Sequence, residues 1–192
     1  GSGVDITKPF GNLIVDIGGG TSNAAVISLG GIVVSASVKV AGDAFDQAIM
    51  NYVRGSHSLF IGEDMAEEIK KKIGTAVEEA SPRVMEVKGR NVITGLPKTI
   101  KLTSEEVRVA LKEATGQIVD TVHGVLEKTP PELAADIVDR GIVLAGGGAM
   151  LRGMDALIEQ RTGVSTLTVQ DAMNVVVVGT GKYPEIRARM EE

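Results

Sequence analysis

The chain has 192 residues, of which 43% are apolar, and it carries a formal charge of -5 at pH 7. This length and apolar content indicate one medium-sized or two small folded domains and exclude an intrinsically disordered chain. The chain has fewer basic side chains (20) than acidic ones (25), and its aromatic residues are two tyrosines and three phenylalanines. Because nucleic-acid binding needs positive charge and often aromatic stacking, we expect no nucleic-acid partner. The sequence has no cysteine, which excludes disulfides and thiolate chemistry.

The first third of the chain is predicted to be a strand meander leading into a helix. Apolar, β-branched runs at residues 12–17, 24–29 and 32–40 are separated by glycine-rich turns, a pattern typical of antiparallel strands. Asp43 is predicted to cap a helix that ends near Arg54, and residues 55–58 are predicted to form a loop.

The middle of the chain is predicted to be mostly helical. A helix is expected over residues 63–73, with Gly74 at its end. Two short antiparallel strands are expected at residues 84–87 and 92–102, with a break at residues 89–91, and Pro97 favours an edge position. The sequence Thr-Ser-Glu-Glu at residues 103–106 predicts the start of a long helix.

Helices and strands alternate in the last third. Strands are predicted over residues 141–145 and 165–169, and helices over residues 150–161 and 171–182. This alternation predicts an α/β fold with a sheet flanked by helices. We expect a sheet subdomain made of residues 11–46 and 139–183, with a mostly helical subdomain inserted at residues 47–138.

Two glycine clusters are the candidates for a ligand-binding site in this sequence. Gly18, Gly19 and Gly20 follow the first strand, which ends with Asp16, and they precede Thr21. Residues without side chains expose backbone amides that can converge on a phosphate. The negative Asp16 carboxylate would be compatible with that phosphate if Mg²⁺ and its bound waters lay between the two groups. The alternative interpretation is a hairpin turn that Asp16 merely caps.

The second cluster, Gly146, Gly147 and Gly148, also follows a buried-type strand. Alone it is weak evidence, because glycine is common in such turns for packing reasons. Two clusters at strand ends of one sheet favour a nucleotide pocket. Neither cluster has the lysine of a Walker loop or the complete Rossmann fingerprint.

Seven segments together resemble the MreB family of bacterial actin homologues, which determines rod shape. They are Val-Asp-Ile-Gly-Gly-Gly-Thr at 15–21, Ala-Val-Ile-Ser-Leu-Gly-Gly-Ile-Val at 25–33, Ala-Gly-Asp at 41–43, Ile-Gly-Glu at 61–63, Thr-Gly-Leu-Pro-Lys at 94–98, Glu-Lys-Thr-Pro-Pro-Glu-Leu at 127–133 and Ile-Val-Leu-Ala-Gly-Gly-Gly at 142–148. The resemblance extends from about residue 7 to residue 182.

The resemblance implies an actin-like, ribonuclease-H-like ATPase domain corresponding to the second half of such proteins. A family member holds ATP or ADP with Mg²⁺ between its two halves and forms filaments beneath the membrane. We therefore expect self-association and a partner in the family's first domain. Membrane contact is expected only through the parent protein.

The resemblance also assigns roles to individual residues. It places Asp16 on the metal side of the nucleotide, and Gly18, Gly19, Gly20 and Thr21 in the second phosphate loop. Glu67 and Lys70 would approach the ribose and adenine, and Gly146, Gly147 and Gly148 would form the adenosine loop near Met150 and Leu151. The alternative for Glu67 and Lys70 is an ordinary ion pair on a solvated helix face.

Two departures from the family pattern bear on catalysis. Asn23 stands where the family has the acid that orients the attacking water, and an amide cannot accept a proton, so base assistance worth roughly 100-fold would be lost. Asp64 and Met65 replace the usual Arg-Thr on the ribose side. We expect little or no ATP hydrolysis by this chain alone.

A second hypothesis is a self-associating structural module that has lost nucleotide binding. Separating one domain from its partner exposes an apolar wall, and such a surface tends to find a protein partner. We expect a soluble, cytoplasmic protein, because no apolar run approaches the ~20 residues of a membrane span and no leader pattern follows Gly1-Ser2.

Overall fold

The computed structural model describes residues 10–169. In this part of the chain, eight strands form two sheets around which five α-helices pack. The strands are β1 (Asn12–Ile17), β2 (Ser22–Ser28), β3 (Gly31–Val38), β4 (Leu59–Phe60), β5 (Val84–Asn91), β6 (Pro97–Thr103), β7 (Ile142–Ala145) and β8 (Thr166–Thr168). The helices are α1 (Gly42–His57), α2 (Glu63–Ile73), α3 (Ser104–Lys128), α4 (Pro131–Arg140) and α5 (Met154–Thr162), with a 3-10 helix at Gly147–Met150.

The larger sheet has the strand order β3-β2-β1-β7-β8. The first three strands form the predicted antiparallel meander, whereas β7 pairs in parallel with both β1 and β8. Leu13, Val15 and Ile17 on one face of β1 are completely or almost completely buried in the main core. Since β1 and β7 are parallel neighbours, their carboxyl ends meet at one edge of the sheet. This confirms the predicted α/β fold.

The smaller sheet, β4-β5-β6, lies within the insertion that the sequence indicated to be mostly helical. Pro97 begins the edge strand β6, as its missing amide predicts. The predicted break at residues 89–91 is wrong, because β5 continues to Asn91. The chain turns after that residue, whose side-chain Oδ1 accepts hydrogen bonds from the amides of Ile93 and Thr94.

Helix α1 differs from its prediction at both ends. The N-cap residue is Ala41, and no side chain caps the helix, so the predicted capping role of Asp43 is wrong. At the other end the helix continues to His57 through the predicted loop, and Ser58, with φ of 53°, donates its amide to the Arg54 carbonyl. The predicted domain boundaries at residues 46/47 and 138/139 fall inside α1 and α4.

Helix α3 begins with the predicted capping box. The Glu106 amide donates to Thr103 Oγ1 at 3.1 Å, and the Thr103 amide donates to Glu106 Oε2 at 3.0 Å. Glu106 Oε1 also lies 2.6 Å from His57 Nε2, which joins the end of α1 to the start of α3. Burial would raise the pKa of Glu106, but the Thr103 amide and His57 outweigh it and hold that pKa below its usual range.

The predicted helix at residues 150–161 is interrupted. A 3-10 helix ends at Met150, and α5 begins only after Gly153, whose φ of 77° is a left-handed conformation. Gly163, with φ of 72°, caps the end of α5. The predicted helix at residues 171–182 lies outside the described residues. No helix within residues 10–169 is long and apolar enough to cross a membrane.

The capping box generates a stability prediction. Replacing Thr103 with alanine removes the hydroxyl that accepts the Glu106 amide, so we expect the free energy of unfolding to fall by about 1 kcal/mol. Urea unfolding followed by circular dichroism measures this change. Thr103→Ser, which keeps the hydroxyl, serves as the control; equal midpoints for the two variants would contradict the proposed role of the hydroxyl.

Candidate functional site

The first glycine cluster is anchored to α1 through its carbonyl groups. The amide of Gly42 donates to the Gly18 carbonyl at 3.0 Å, and the amide of Asp43 donates to the Gly19 carbonyl at 2.8 Å. These bonds satisfy two of the four amides that an α-helix leaves without intrahelical partners at its N-terminus. The glycine loop therefore takes the place of a capping side chain.

This anchoring decides where the loop's own amides point. All peptide bonds among the described residues are trans, so each amide points away from the carbonyl of the preceding residue. With the Gly18 and Gly19 carbonyls directed at α1, the amides of Gly19 and Gly20 face the opposite way. They have no acceptor within residues 10–169, whereas the Gly18 amide is used by the Thr21 carbonyl at 3.0 Å.

The second glycine cluster lies directly against the first. A Cβ on Gly146, where φ is 90°, would stand 2.3 Å from Asp16 Oδ1, and a Cβ on Gly148 would stand 2.3 Å from Ile17 Cγ2 and 3.2 Å from the Gly18 carbonyl. Side chains at these positions would separate the two loops. The two clusters thus share one edge of the sheet, as the sequence predicted.

A cleft of about 610 Å³ opens beside both clusters, a volume typical of small-molecule and cofactor sites. It is lined by Gly18, Gly19, Gly42, Asp43, Asp46, Glu67, Lys70, Lys71, Gly147, Gly148, Met150 and Leu151. Six of the predicted site residues therefore meet here. Of the others, Gly146 packs against Asp16 behind the lining, and Gly20 and Thr21 belong to the loop without lining the cleft.

Sequence reasoning missed four of the lining residues: Gly42, Asp43, Asp46 and Lys71. Gly42 and Asp43 belong to a segment that resembles the family, but no role followed from that resemblance. The spacing of Asp43 and Asp46 places both on one side of α1, which was the available signal.

Four of the five charged side chains that line the cleft form two ion pairs, and the fifth is Asp43. Lys70 Nζ lies 2.9 Å from Asp46 Oδ1, and Lys71 Nζ lies 2.9 Å from Glu67 Oε1. The Glu67–Lys70 pair considered from the sequence is therefore not the one that forms. The hydrogen bond between Glu67 and Lys71 lowers the pKa of Glu67 and raises that of Lys71.

Asp16 lies directly opposite Asn23 on the neighbouring strand β2. Asn23 is only 7% exposed, and its Oδ1 has no hydrogen-bond partner. Within the described ranges, no group of three or more histidine, aspartate or glutamate side chains is arranged to hold a metal ion. Protein ligands in this part of the chain thus do not form a metal centre by themselves, and the metal-side role of Asp16 stays a prediction.

A residue next to the cleft lining, Arg152, forms hydrogen bonds with the connection between α2 and β5. Arg152, which follows the lining residue Leu151, accepts the Ala76 amide on its carbonyl at 2.8 Å. Its Nη1 also donates to Glu79 Oε1 at 2.9 Å. This hydrogen bond is the main cause that holds the pKa of Glu79 below its usual range.

Comparison with known proteins decides the family. The family model described as MreB/Mbl protein matches residues 1–192, which is the whole chain. The chain belongs to the MreB/Mbl family. This confirms the resemblance found from the sequence segments.

Curated members of the MreB/Mbl family include similar proteins from distant bacteria. The cell shape-determining protein Mbl of Bacillus cereus is 50% identical over 181 residues, covering 94% of this chain and 54% of its own. The cell shape-determining protein MreB of Escherichia coli is 46% identical over 186 residues, covering 97% of this chain and 54% of its own. The chain therefore spans about half the length of these relatives.

Solved structures confirm the actin-like fold. The crystal structure of Spiroplasma citri MreB5 bound to ADP has a TM-score of 0.87 and 43% identity, covering 99% of this chain and 58% of that one. The same protein bound to AMPPNP has a TM-score of 0.86. A MamK double helical filament, at 23% identity and a TM-score of 0.72, shares the fold.

The contact between the two glycine clusters gives a matched pair of variants. Gly148→Ala places a methyl group against Ile17, whereas Gly147→Ala points into open space. We expect Gly148→Ala to lower the free energy of unfolding by about 1–3 kcal/mol and Gly147→Ala to change it by less than about 0.5 kcal/mol. Urea unfolding of both variants tests this, and equal stability would rule out the close contact.

The Arg152–Glu79 bond gives a pH-dependent prediction. A carboxyl group whose pKa is lower in the folded protein than in the unfolded protein stabilises the fold. This contribution is complete above the unfolded pKa of about 4.3, and it is lost as the pH falls through the folded pKa. We expect Glu79→Gln to lower the free energy of unfolding by about 1 kcal/mol at neutral pH. That difference from the unmodified chain should shrink between about pH 5 and pH 3. Denaturant unfolding at several pH values measures it, and a pH-independent difference would contradict the assignment.

Proposed function

We propose that the chain is the nucleotide-facing half of an actin-like, cell-shape-determining protein. It binds ATP or ADP in the cleft and serves filament assembly, with little or no hydrolysis on its own. The main observation is that two glycine loops, far apart in sequence, lie in contact beside one cleft. Several of their backbone amides have no hydrogen-bond acceptor within the described residues. The MreB5 crystal structures with ADP and AMPPNP, at 43% identity, support this proposal.

The amide groups suit the phosphate end of a nucleotide. Gly19 and Gly20 offer two amides whose direction is set by the bonds to α1. Gly147 and Gly148 begin the 3-10 helix, and their amides likewise have no acceptor within the described residues. Amide donors in such turns bind anionic oxygens without the cost of burying a fixed charge. Thr21, in the proposal, adds a hydroxyl.

The remaining lining suits the nucleoside. Met150 and Leu151 provide apolar surface beside Gly146, and α2 provides the side chains of Glu67 and Lys70. In the proposed complex, the adenine lies on the apolar side, and the ribose lies toward α2. Because one wall of the cleft comes from this chain, the proposal includes a second wall from the other half of the parent protein.

In the proposed complex, Mg²⁺ is bound by water molecules and by the phosphate oxygens of the nucleotide. Among the described residues, the Asp16 carboxylate lies against Gly146 and the Asp43 carboxylate lies near Gly19, but no three candidate ligands form a cluster. This fits Mg²⁺, which keeps several waters and uses phosphate oxygens. When bound, the ion neutralises phosphate charge, and Asp16 is the residue that would accept hydrogen bonds from its waters.

The inference of weak hydrolysis rests on Asn23. Its side chain is buried opposite Asp16, and the resemblance to the family implies an acid at this position. An amide cannot take the proton of an attacking water, so the base contribution of roughly two orders of magnitude is missing. We therefore propose that the chain's role lies in binding and assembly, with self-association and the family's first domain as its partners.

Nucleotide titration tests the proposal. We expect ADP to bind the full chain measurably by isothermal titration calorimetry at concentrations up to about 1 mM, and ATP to release phosphate no faster than in buffer. Gly147→Leu adds a side chain at the cleft wall, starting from a Cβ position with no other protein atom within 4 Å, so it should weaken ADP binding at least about tenfold. Gly116→Leu, which also enters open space on α3, is the control.

Two outcomes would overturn the proposal. One is the absence of any ADP or ATP heat at millimolar concentration in a folded sample. The other is equal weakening by Gly147→Leu and Gly116→Leu, since only the first of these residues lines the cleft.

A further inference from the structure

We propose that Asp46 sets the affinity of the cleft for phosphate groups. It does so by holding the Lys70 ammonium in an ion pair, which withholds a cation from any anionic ligand at the glycine loop. This inference rests on the proposed nucleotide site and deepens it, because it names the residue that controls how strongly phosphate charge is attracted there.

The geometry of the pair shows how Lys70 is held. Its Nζ lies 2.9 Å from Asp46 Oδ1 and donates to the Gly42 carbonyl at 3.4 Å. Both charged side chains are only 17% exposed. The ammonium therefore has one carboxylate and one carbonyl as partners, both on α1, although Lys70 itself belongs to α2.

The held ammonium is a close neighbour of the glycine loop. The point where a Gly42 Cβ would stand is 3.7 Å from Lys70 Nζ, 3.9 Å from Gly19 Cα and 3.4 Å from the Gly18 carbonyl. A lysine ammonium is a point-charge ligand for phosphate, and the Lys70 ammonium lies at the start of α1, on the side of the loop that faces this helix. In the folded chain, its charge is balanced by Asp46, so the amides act without a net positive side chain.

A second lysine on the same helix gives an internal comparison. Lys71 pairs with Glu67 at the same distance of 2.9 Å, but these side chains are 70% and 48% exposed. Water and salt screen a charge at such a site, whereas a largely buried pair is screened less. Releasing Lys70 should therefore matter to a bound anion much more than releasing an exposed lysine of α2 such as Lys72, which pairs with Glu68 outside the cleft lining.

The expected consequence concerns ligands that consist of phosphate alone. With Lys70 paired, a nucleotide needs its base and ribose contacts in addition to the amides, and inorganic pyrophosphate should bind weakly. Asp46→Asn removes the balancing charge while keeping the shape of the side chain. The ammonium then becomes available to the phosphate groups.

The test compares pyrophosphate binding by the full chain and its variants at low ionic strength, using isothermal titration calorimetry. We expect Asp46→Asn to bind pyrophosphate at least about tenfold more tightly than the unmodified chain. The gain should shrink in about 1 M salt, where charge interactions are screened within a few ångströms. Glu68→Gln is the control, because it releases the exposed Lys72 on the same helix and neither residue lines the cleft; it should change the affinity less than about twofold.

Further variants separate this effect from general damage to the fold. Adding Lys70→Gln to Asp46→Asn should cancel the gain, because the released charge is then absent. No gain in a folded Asp46→Asn variant, or an equal gain in Glu68→Gln, overturns the inference. If Asp46→Asn does not fold, Asp46→Ser, which also removes the carboxylate, decides in its place: tighter pyrophosphate binding supports the inference, and unchanged binding overturns it.

This result is distinguishable from the test of the proposed function. A chain that binds no ADP contradicts that function, yet the pyrophosphate gain in Asp46→Asn would still establish the role of Asp46. Conversely, ADP binding with no pyrophosphate gain keeps the nucleotide site and removes the role of Asp46.

Discussion

Two backbone hydrogen bonds, from the amides of Gly42 and Asp43 to the carbonyls of Gly18 and Gly19, determine how the glycine loop sits on the larger sheet. They satisfy the start of α1, and they turn the loop's own amides away from that helix. The far end of α1 contacts α3 through His57, and its first turns hold α2 through Asp46. Helix α1 thus connects the glycine loop to both α2 and α3.

The second constraint is steric. Gly146 and Gly148 allow the end of β7 to approach Asp16 and Ile17 at distances that any side chain would prevent. Glycine loses more backbone entropy on folding than other residues, and here that loss accompanies a close contact of two loops. The same closeness brings both glycine clusters to one cleft, in which four of the five charged lining side chains are paired with one another.

Local signals predicted much of this structure. Residues near one another in sequence were enough to predict three features: the bounds of α2, the capping box at Thr103 and Glu106, and the two glycine clusters. The start of α1 was mispredicted because its cap comes from a distant loop instead of its own Asp43. The pairing of Lys70 with Asp46 also depends on how two helices pack, which no single-helix pattern specifies.

The parallel pairing of β1 with β7 has a consequence for the order of folding. Asp16 pairs with Ala145, so the two strands come together only after most of the chain has been synthesised. Long loops must close before such distant segments pair, and this slows their association. The β1–β3 meander and the long helix α3 involve near neighbours and can form early. The contact between the two glycine clusters therefore forms after these local elements, late in the folding of the described residues.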